Sequence, residues 1–202
     1  MIYSLGHSTL SQEQFLALVR PVKMLLDVRS HPTSKWPHFN KDQLADWLTS
    51  HGVDYVWEPN LGGWSERHLH HRGWAEQRGV AIDVYAAGHF PKQRIALASG
   101  KSGPAWTNLG LLDYSWFMAT PEFLRAAEQL LMRGQAITVG IMCAEATWWR
   151  CHRSMIADYL YYRGVTVQHL LGKRAQPHPI GDRLQRYDPE IRAVWDDMSM
   201  RQ

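Results

Sequence analysis

The chain is short of cysteine and has no long apolar run, and both absences narrow what it can be. Two cysteines among 202 residues cannot build the disulfide framework of a small secreted domain. They stand eight residues apart, Cys143 and Cys151. A bridge between them needs Cα atoms within about 7 Å, which a short turn allows without requiring. A reducing compartment, and so a cytoplasmic location, is the expectation. No stretch approaches the roughly 20 apolar residues of a membrane span. The opening MIYSLGHSTL has no basic region followed by an apolar one, so no secretory leader is read there. Lysine is scarce too: of 22 lysines and arginines only 6 are lysine, and the net charge is just +3. That rules out a dominating basic arm. There are no internal repeats and no low-complexity tract, which excludes solenoids and arrays.

What is present reads as an ordinary α/β protein. Hydrophobic residues make up 45% and charged residues 20% of the chain, enough for one full core. A β-like run over 1–5 stops at Gly6-His7-Ser8. Thr9 or Ser11 caps a helix over 12–20, which Pro21 closes. A second strand over 23–28 delivers Asp27 and Arg29 to its carboxyl end, and 30–40 is a polar loop with prolines. A helix over 41–51 carries Leu44, Trp47 and Leu48, with Gly52 as C-cap; a third strand covers 53–57. Residues 59–112 show no long element, only candidate short helices over 73–78 or 83–87, and are read as an irregular insertion or lid. Order returns at Asp113. Pro121 opens a helix that Thr120 caps and Gly134 closes. Residues 137–142 suit a strand buried on both faces, and the helical pattern after it carries Cys151, His152 and Arg153 and ends at Gly164. A fifth strand covers 165–170, residues 173–181 are loop or linker, and a short helix covers 189–198. This alternation predicts an α/β, three-layer Rossmann-like domain over 1–172, with a mainly parallel sheet of about five strands. Residues 173–202 then form a C-terminal extension.

The chemistry-bearing residues fall where the strands are predicted to end, the edge at which open α/β sheets bind ligands. His7 and Ser8 follow the first strand, Asp27 and Arg29 the second, Gly62 and Gly63 the third. Cys143, Glu145, Arg150, His152 and Arg153 follow the fourth. A strand-end thiol near a helix N-terminus and arginines is where a depressed pKa is expected, which makes Cys143 a candidate nucleophile. No Gly-rich cradle follows it, however, so Asp27 and Glu145 are expected to lead as general acid and base. Arg29, Arg150 and Arg153 are expected to grip anionic oxygens.

Several of these motifs recur together: Gly6-His7-Ser8; Asp27-Val28-Arg29 with Pro32 and Ser34; Phe39-Asn40; Leu61-Gly62-Gly63; Asn108 leading to Tyr114; and Cys143-Ala144-Glu145 followed by Cys151-His152-Arg153. Across residues 2–170 this pattern resembles the bacterial proteins grouped as domain of unknown function 488. The resemblance implies a Rossmann-like α/β fold and a shared polar site built from these motifs, which adds Asn108 and Tyr114 to the candidates. It carries no reaction. The chain departs from the pattern at Trp64, where a basic residue is usual, and in the length of 59–112.

Three function classes follow. The leading expectation is an enzyme acting on a nucleotide-like or nucleic-acid, in any case anionic, substrate. The second is a non-catalytic nucleotide or nucleic-acid binding module, with Trp64, Trp74, Trp106, Trp148 and Trp149 as stacking platforms. The third is a metal-binding protein using His68, His70 and His71 or the Cys143, Cys151 and His152 cluster. Their spacings match no standard zinc module, so no metal ligand is assigned. The sequence names no cofactor. The partners expected are an anionic small molecule or nucleic acid, and no membrane.

Overall fold

The computed structural model describes residues 1–63, 109–172 and 174–200. The expectations for Trp64, the histidine tract, Trp74, Trp106, Asn108 and the two short helices lie outside those residues. In chain order the elements are β1 (Ile2–Gly6), α1 (Gln12–Val19), β2 (Met24–Asp27), α2 (Lys41–Ser50), β3 (Asp54–Trp57), α3 (Leu109–Phe117), α4 (Pro121–Ala136), β4 (Val139–Cys143), α5 (Arg153–Tyr162), β5 (Val167–Leu171), β6 (Arg174–Pro177) and α6 (Pro189–Met200). Short 3-10 turns cover Pro37–Phe39, Pro59–Leu61, Trp148–Arg150 and Arg183–Arg186.

The strands form one sheet of order β3-β2-β4-β1-β5-β6, parallel throughout except that β6 runs antiparallel to β5. Side chains alternate across a strand, so Ile2, Ser4 and Gly6 face one side of β1, and Tyr3 and Leu5 the other. Leu5 shares a core with Leu25, Met142 and the apolar sides of α1 (Phe15, Leu18, Val19) and α2 (Leu44, Leu48). On the opposite face, a Cβ added at Gly134 of α4 would lie 2.6 Å from Ile2 Cγ1. Arg153 of α5 donates to Ser4 Oγ there (3.3 Å). Helices therefore cover both faces, the layering expected of a Rossmann-like α/β domain. Ser11 caps α1 through a reciprocal capping box with Gln14, which settles the choice between Thr9 and Ser11.

Four expectations are corrected. The sheet has six strands, because residues 174–177 are not loop but pair with β5. All four are exposed, so no alternation of apolar and polar residues marks them. Gly172 makes the turn into β6 with φ +60°, and His178 anchors its far end, donating N–H to Val167 O (2.8 Å). Gly134 does not close its helix, which runs on to Ala136; the missing side chain serves close packing on Ile2. Helix α3 starts at Leu109, ahead of Asp113. Cys151 and His152 precede α5 rather than lying in it, with His152 as N-cap.

The chain falls into two compact units. Residues 1–63 and 122–180 hold the sheet and its four covering helices. Residues 64–121 and 181–202 hold α3 and α6; there Trp195 Nε1 donates to Met118 O (3.1 Å), and its ring lies 4.9 Å from that of Tyr187. Among the described residues no helix is long and apolar enough to cross a membrane.

Candidate functional site

Strands β1 and β4 are neighbours, yet the chain leaves them on opposite faces. From β1 it turns toward α1 on the Leu5 side, and from β4 toward α5 on the Ser4 side. Such a switch point opens a crevice at the carboxyl ends. The strands stay bridged for two more residues, His7 N to Cys143 O (3.1 Å) and Ser8 N to Ala144 O (2.9 Å). Ser8 then bends the chain at φ +44°, a left-handed conformation rare outside glycine. Gly6 is required by close approach: a Cβ there would sit 1.8 Å from the Glu145 carbonyl oxygen. On the α1 side of this rim lies a cavity of about 490 Å³, whose walls include Ser8, Leu10, Leu18, Ala146 and Leu170.

One cluster at the rim is closed on itself. The buried Asp27 carboxylate accepts from Arg29 Nε (2.9 and 3.0 Å), Arg29 Nη2 (2.5 Å), the Arg29 backbone N–H (3.1 Å) and Tyr55 Oη (2.6 Å). Arg29 Nη1 donates to Phe39 O (2.8 Å), and Trp57 Nε1 donates to Arg29 O (2.9 Å). Burial and the adjacent Asp27 carboxylate push the Tyr55 hydroxyl far up, so it stays a donor. His7 stacks on Phe39 with ring centroids 4.1 Å apart. Its Nδ1–H donates to Ser8 O (3.1 Å), which leaves Nε2 facing Arg29 Nη1 at 3.4 Å. Burial first, then the Arg29 charge, lower its pKa to about 4, so the imidazole is neutral.

The second cluster holds the two thiols. Cys143 Sγ and Cys151 Sγ are free, buried and 2.9 Å apart, close enough to share a proton. Arg153, itself buried, donates Nε to Cys143 Sγ (3.1 Å), Nη1 to Ser4 Oγ, and Nη2 to Glu145 O. The Glu145 N–H also points at Cys143 Sγ (3.4 Å). His152 Nε2–H donates to Val28 O (3.0 Å), which turns Nδ1 toward Cys151 Sγ at 3.4 Å. Burial, then the Cys151 sulfur, push the Cys143 thiol well up. Burial opposes a thiolate at Cys151 too, but the Cys143 donor, His152 and Arg153 outweigh it and hold Cys151 well below the ordinary thiol range. The pair acts as one site that releases its first proton early and its second late. The ligand atoms of Cys143, Cys151 and His152 all lie within 4.8 Å of one another, a soft donor set. Two thiolates on tetrahedral zinc stand about 3.8 Å apart, wider than this pair, and Arg153 already occupies Cys143. In the geometry present, the two sulfurs stand as a close thiol pair with Arg153 on Cys143.

Of the residues named from sequence, His7, Ser8, Asp27, Arg29, Gly62, Gly63, Cys143, Glu145, Cys151, His152 and Arg153 meet along this rim. Gly62 and Gly63 allow close passage: Cβ atoms there would lie 2.8 Å from Ser30 Oγ and 2.5 Å from His152 Nδ1. Glu145 and Arg150 are exposed. Tyr114 is buried on α3, in the other unit. Trp148 is buried and stacked on His169 (4.0 Å, 4°), whereas Trp149 is half exposed. The sequence reading missed Ser4, Ser30 and Tyr55. Tyr55 was findable: two residues before Trp57, it shares a face with residue 25 and so with Asp27.

No curated protein and no solved structure matches the chain. A family model does, over residues 14–87 and 91–160. That span takes in the Asp27–Arg29 clamp, the Gly62-Gly63 turn and both thiols, and with it the chain belongs to the family described as Domain of unknown function DUF488.

Proposed function

We propose that this protein is an enzyme that works through a thiolate formed on the Cys143–Cys151 pair. The observation that carries the reading is the 2.9 Å separation of two free sulfurs at the switch point of the sheet, with a buried guanidinium on one and an imidazole Nδ1 beside the other. A guanidinium and an imidazole beside a sulfur favour its thiolate, and at Cys151 the Cys143 donor and these two outweigh the burial that opposes it. His152 takes the proton and Arg153 steadies the charge.

This reading moves the chemistry from the carboxylates that the sequence favours to the thiols. Both Asp27 oxygens already accept bonds from Arg29 and Tyr55, so its role is to hold the rim in shape. Arg29 and Arg153 are likewise engaged within the protein. Arg150, exposed beside Cys151, is where the charge of an anionic substrate would be met. The test is the rate of iodoacetamide alkylation of the native protein against pH, with the sites read by peptide mass spectrometry. One of the two cysteines is expected to react with a midpoint below the ~8.5 of a free thiol, and the other only after unfolding. Two cysteines that both stay inert until the protein unfolds would end the proposal.

A further inference from the structure

We infer that the substrate class of this site is a low-molecular-weight disulfide carrying carboxylates, and that turnover closes a Cys143–Cys151 disulfide. The inference rests on the thiolate reading above and adds the second sulfur to it. A lone nucleophilic cysteine would keep whatever it attacks as a covalent adduct. Here a second thiol stands 2.9 Å from the first, so any mixed disulfide formed on one sulfur is within reach of the other. Closing the bond to the ~2.05 Å of a disulfide needs a shift of only about 0.9 Å. The chain that must yield is suited to it. Ala144, Glu145 and Ala146 are exposed, and Cys151 lies in extended backbone ahead of α5 (φ −127°, ψ 150°), so the shift can be taken up at either end of the loop without disturbing α5. Arg150, exposed and one residue before Cys151 in the chain, is the cation assigned to the carboxylates.

The step balances as two exchanges. The thiolate sulfur attacks one sulfur of the small disulfide; a protein–substrate S–S bond forms, the substrate's own S–S bond breaks, and the first small thiolate leaves with the proton that His152 took from the attacking thiol. The second cysteine then attacks the protein sulfur of the mixed disulfide, its proton passing to the departing small thiolate. The Cys143–Cys151 bond forms and the second small thiol leaves. The pair is oxidised by two electrons, and the small disulfide is reduced to two thiols. A small dithiol returns the protein to its starting state.

Oxidised glutathione is the probe. Incubated with the reduced full chain at neutral pH, it is expected to leave the wild type lighter by two hydrogens, with no glutathionyl group retained. The linked Cys143–Cys151 peptides should appear, and both cysteines should resist iodoacetamide until dithiothreitol is added. Cys143→Ser and Cys151→Ser each remove one partner, and the variant that keeps the attacking sulfur should retain a glutathionyl group. A wild type that keeps a glutathionyl group while its second thiol still alkylates overturns the inference, and so does one that stays a dithiol throughout. The two readings fail separately. A low alkylation midpoint without an internal disulfide removes the disulfide substrate and leaves the thiolate; inert cysteines in the native protein remove the thiolate itself.

Discussion

Two buried ionic clusters share the carboxyl rim of the sheet, at the ends of the neighbouring strands β2 and β4, and they are wired differently. In the Asp27–Arg29 cluster five hydrogen-bond contacts from Arg29 and Tyr55 converge on the two carboxylate oxygens. In the Cys143–Cys151 cluster two sulfurs compete for protons beside a fixed guanidinium. Asp27 and Arg29 in one and Cys143, Cys151 and Arg153 in the other are buried, so burial alone does not separate scaffold from reactive centre. The difference is whether the surroundings leave a group with a choice of protonation state. On the proposed reading, the saturated cluster fixes geometry and the undersupplied one is where a covalent bond forms.

The comparison breaks most visibly at Asp27. Asp27→Ala leaves the Arg29 guanidinium buried without its counter-charge, a change worth about 3–5 kcal/mol of stability, read as a fall in the urea midpoint. Cys151→Ala should cost only about 1 kcal/mol while abolishing low-pH alkylation. If the two variants exchanged these signatures, with Asp27→Ala stable and Cys151→Ala unfolded, the roles assigned to the clusters would be reversed. Next in size is Gly6→Ala. A methyl group 1.8 Å from the Glu145 carbonyl oxygen must push the β4 turn off the sheet and loosen Glu145 from Arg153, at about 3 kcal/mol. A crystal structure or chemical-shift map should show the change centred on residues 143–153, with the Asp27 cluster undisturbed.

Much of this rim was legible in the sequence because strand ends can be read from apolar runs and punctuation. The Ile137 to Met142 run, the Pro121 start and the Ser11 cap each express a local rule, and parallel strands then carry His7, Arg29 and Cys143 to one edge. What resisted reading depends on partners remote in the chain. Nothing local marks Ser4 as the seat of Arg153, 149 residues away, nor Tyr55 as a donor to Asp27. Gly134 looked like a helix stop because its actual neighbour, Ile2, is at the other end of the unit's chain. Strand β6 is exposed along its whole length and carries no apolar pattern at all. The balance between carboxylate and thiol chemistry was hidden for the same reason, since it turns on how many donors reach each group.

A pH titration probes the saturated side. His7 is held neutral, its pKa lowered to about 4 by burial and then by Arg29, against about 6.5 in the unfolded chain. Between those values the unfolded chain binds a proton that the folded chain refuses. Stability is therefore complete above about pH 6.5 and is lost as pH falls toward about 4, by on the order of 2–3 kcal/mol. Urea midpoints near neutrality and near pH 4 should differ accordingly. His7→Gln should flatten the slope; an unchanged slope would mean that the imidazole is charged in the fold.

The smallest expected effect separates the clusters most sharply, because it asks the same substitution of each. Arg153→Lys replaces a planar fork serving Cys143, Ser4 and the Glu145 carbonyl by a single ammonium, which cannot reach all three. Loosening the guanidinium charge beside the pair removes part of what favours the Cys151 thiolate, so the alkylation midpoint should rise by about one pH unit, an approximately tenfold slower reaction on the rising limb. Arg29→Lys makes the identical exchange on the Asp27 side, where both carboxylate oxygens lose a bidentate partner. It should lower stability by more than Arg153→Lys does and leave the alkylation midpoint where it was, since Arg29 hydrogen-bonds to neither sulfur. Equal shifts of the midpoint in the two variants would mean that the rim titrates as one coupled network, and the distinction between a closed clamp and an open thiol pair would be lost.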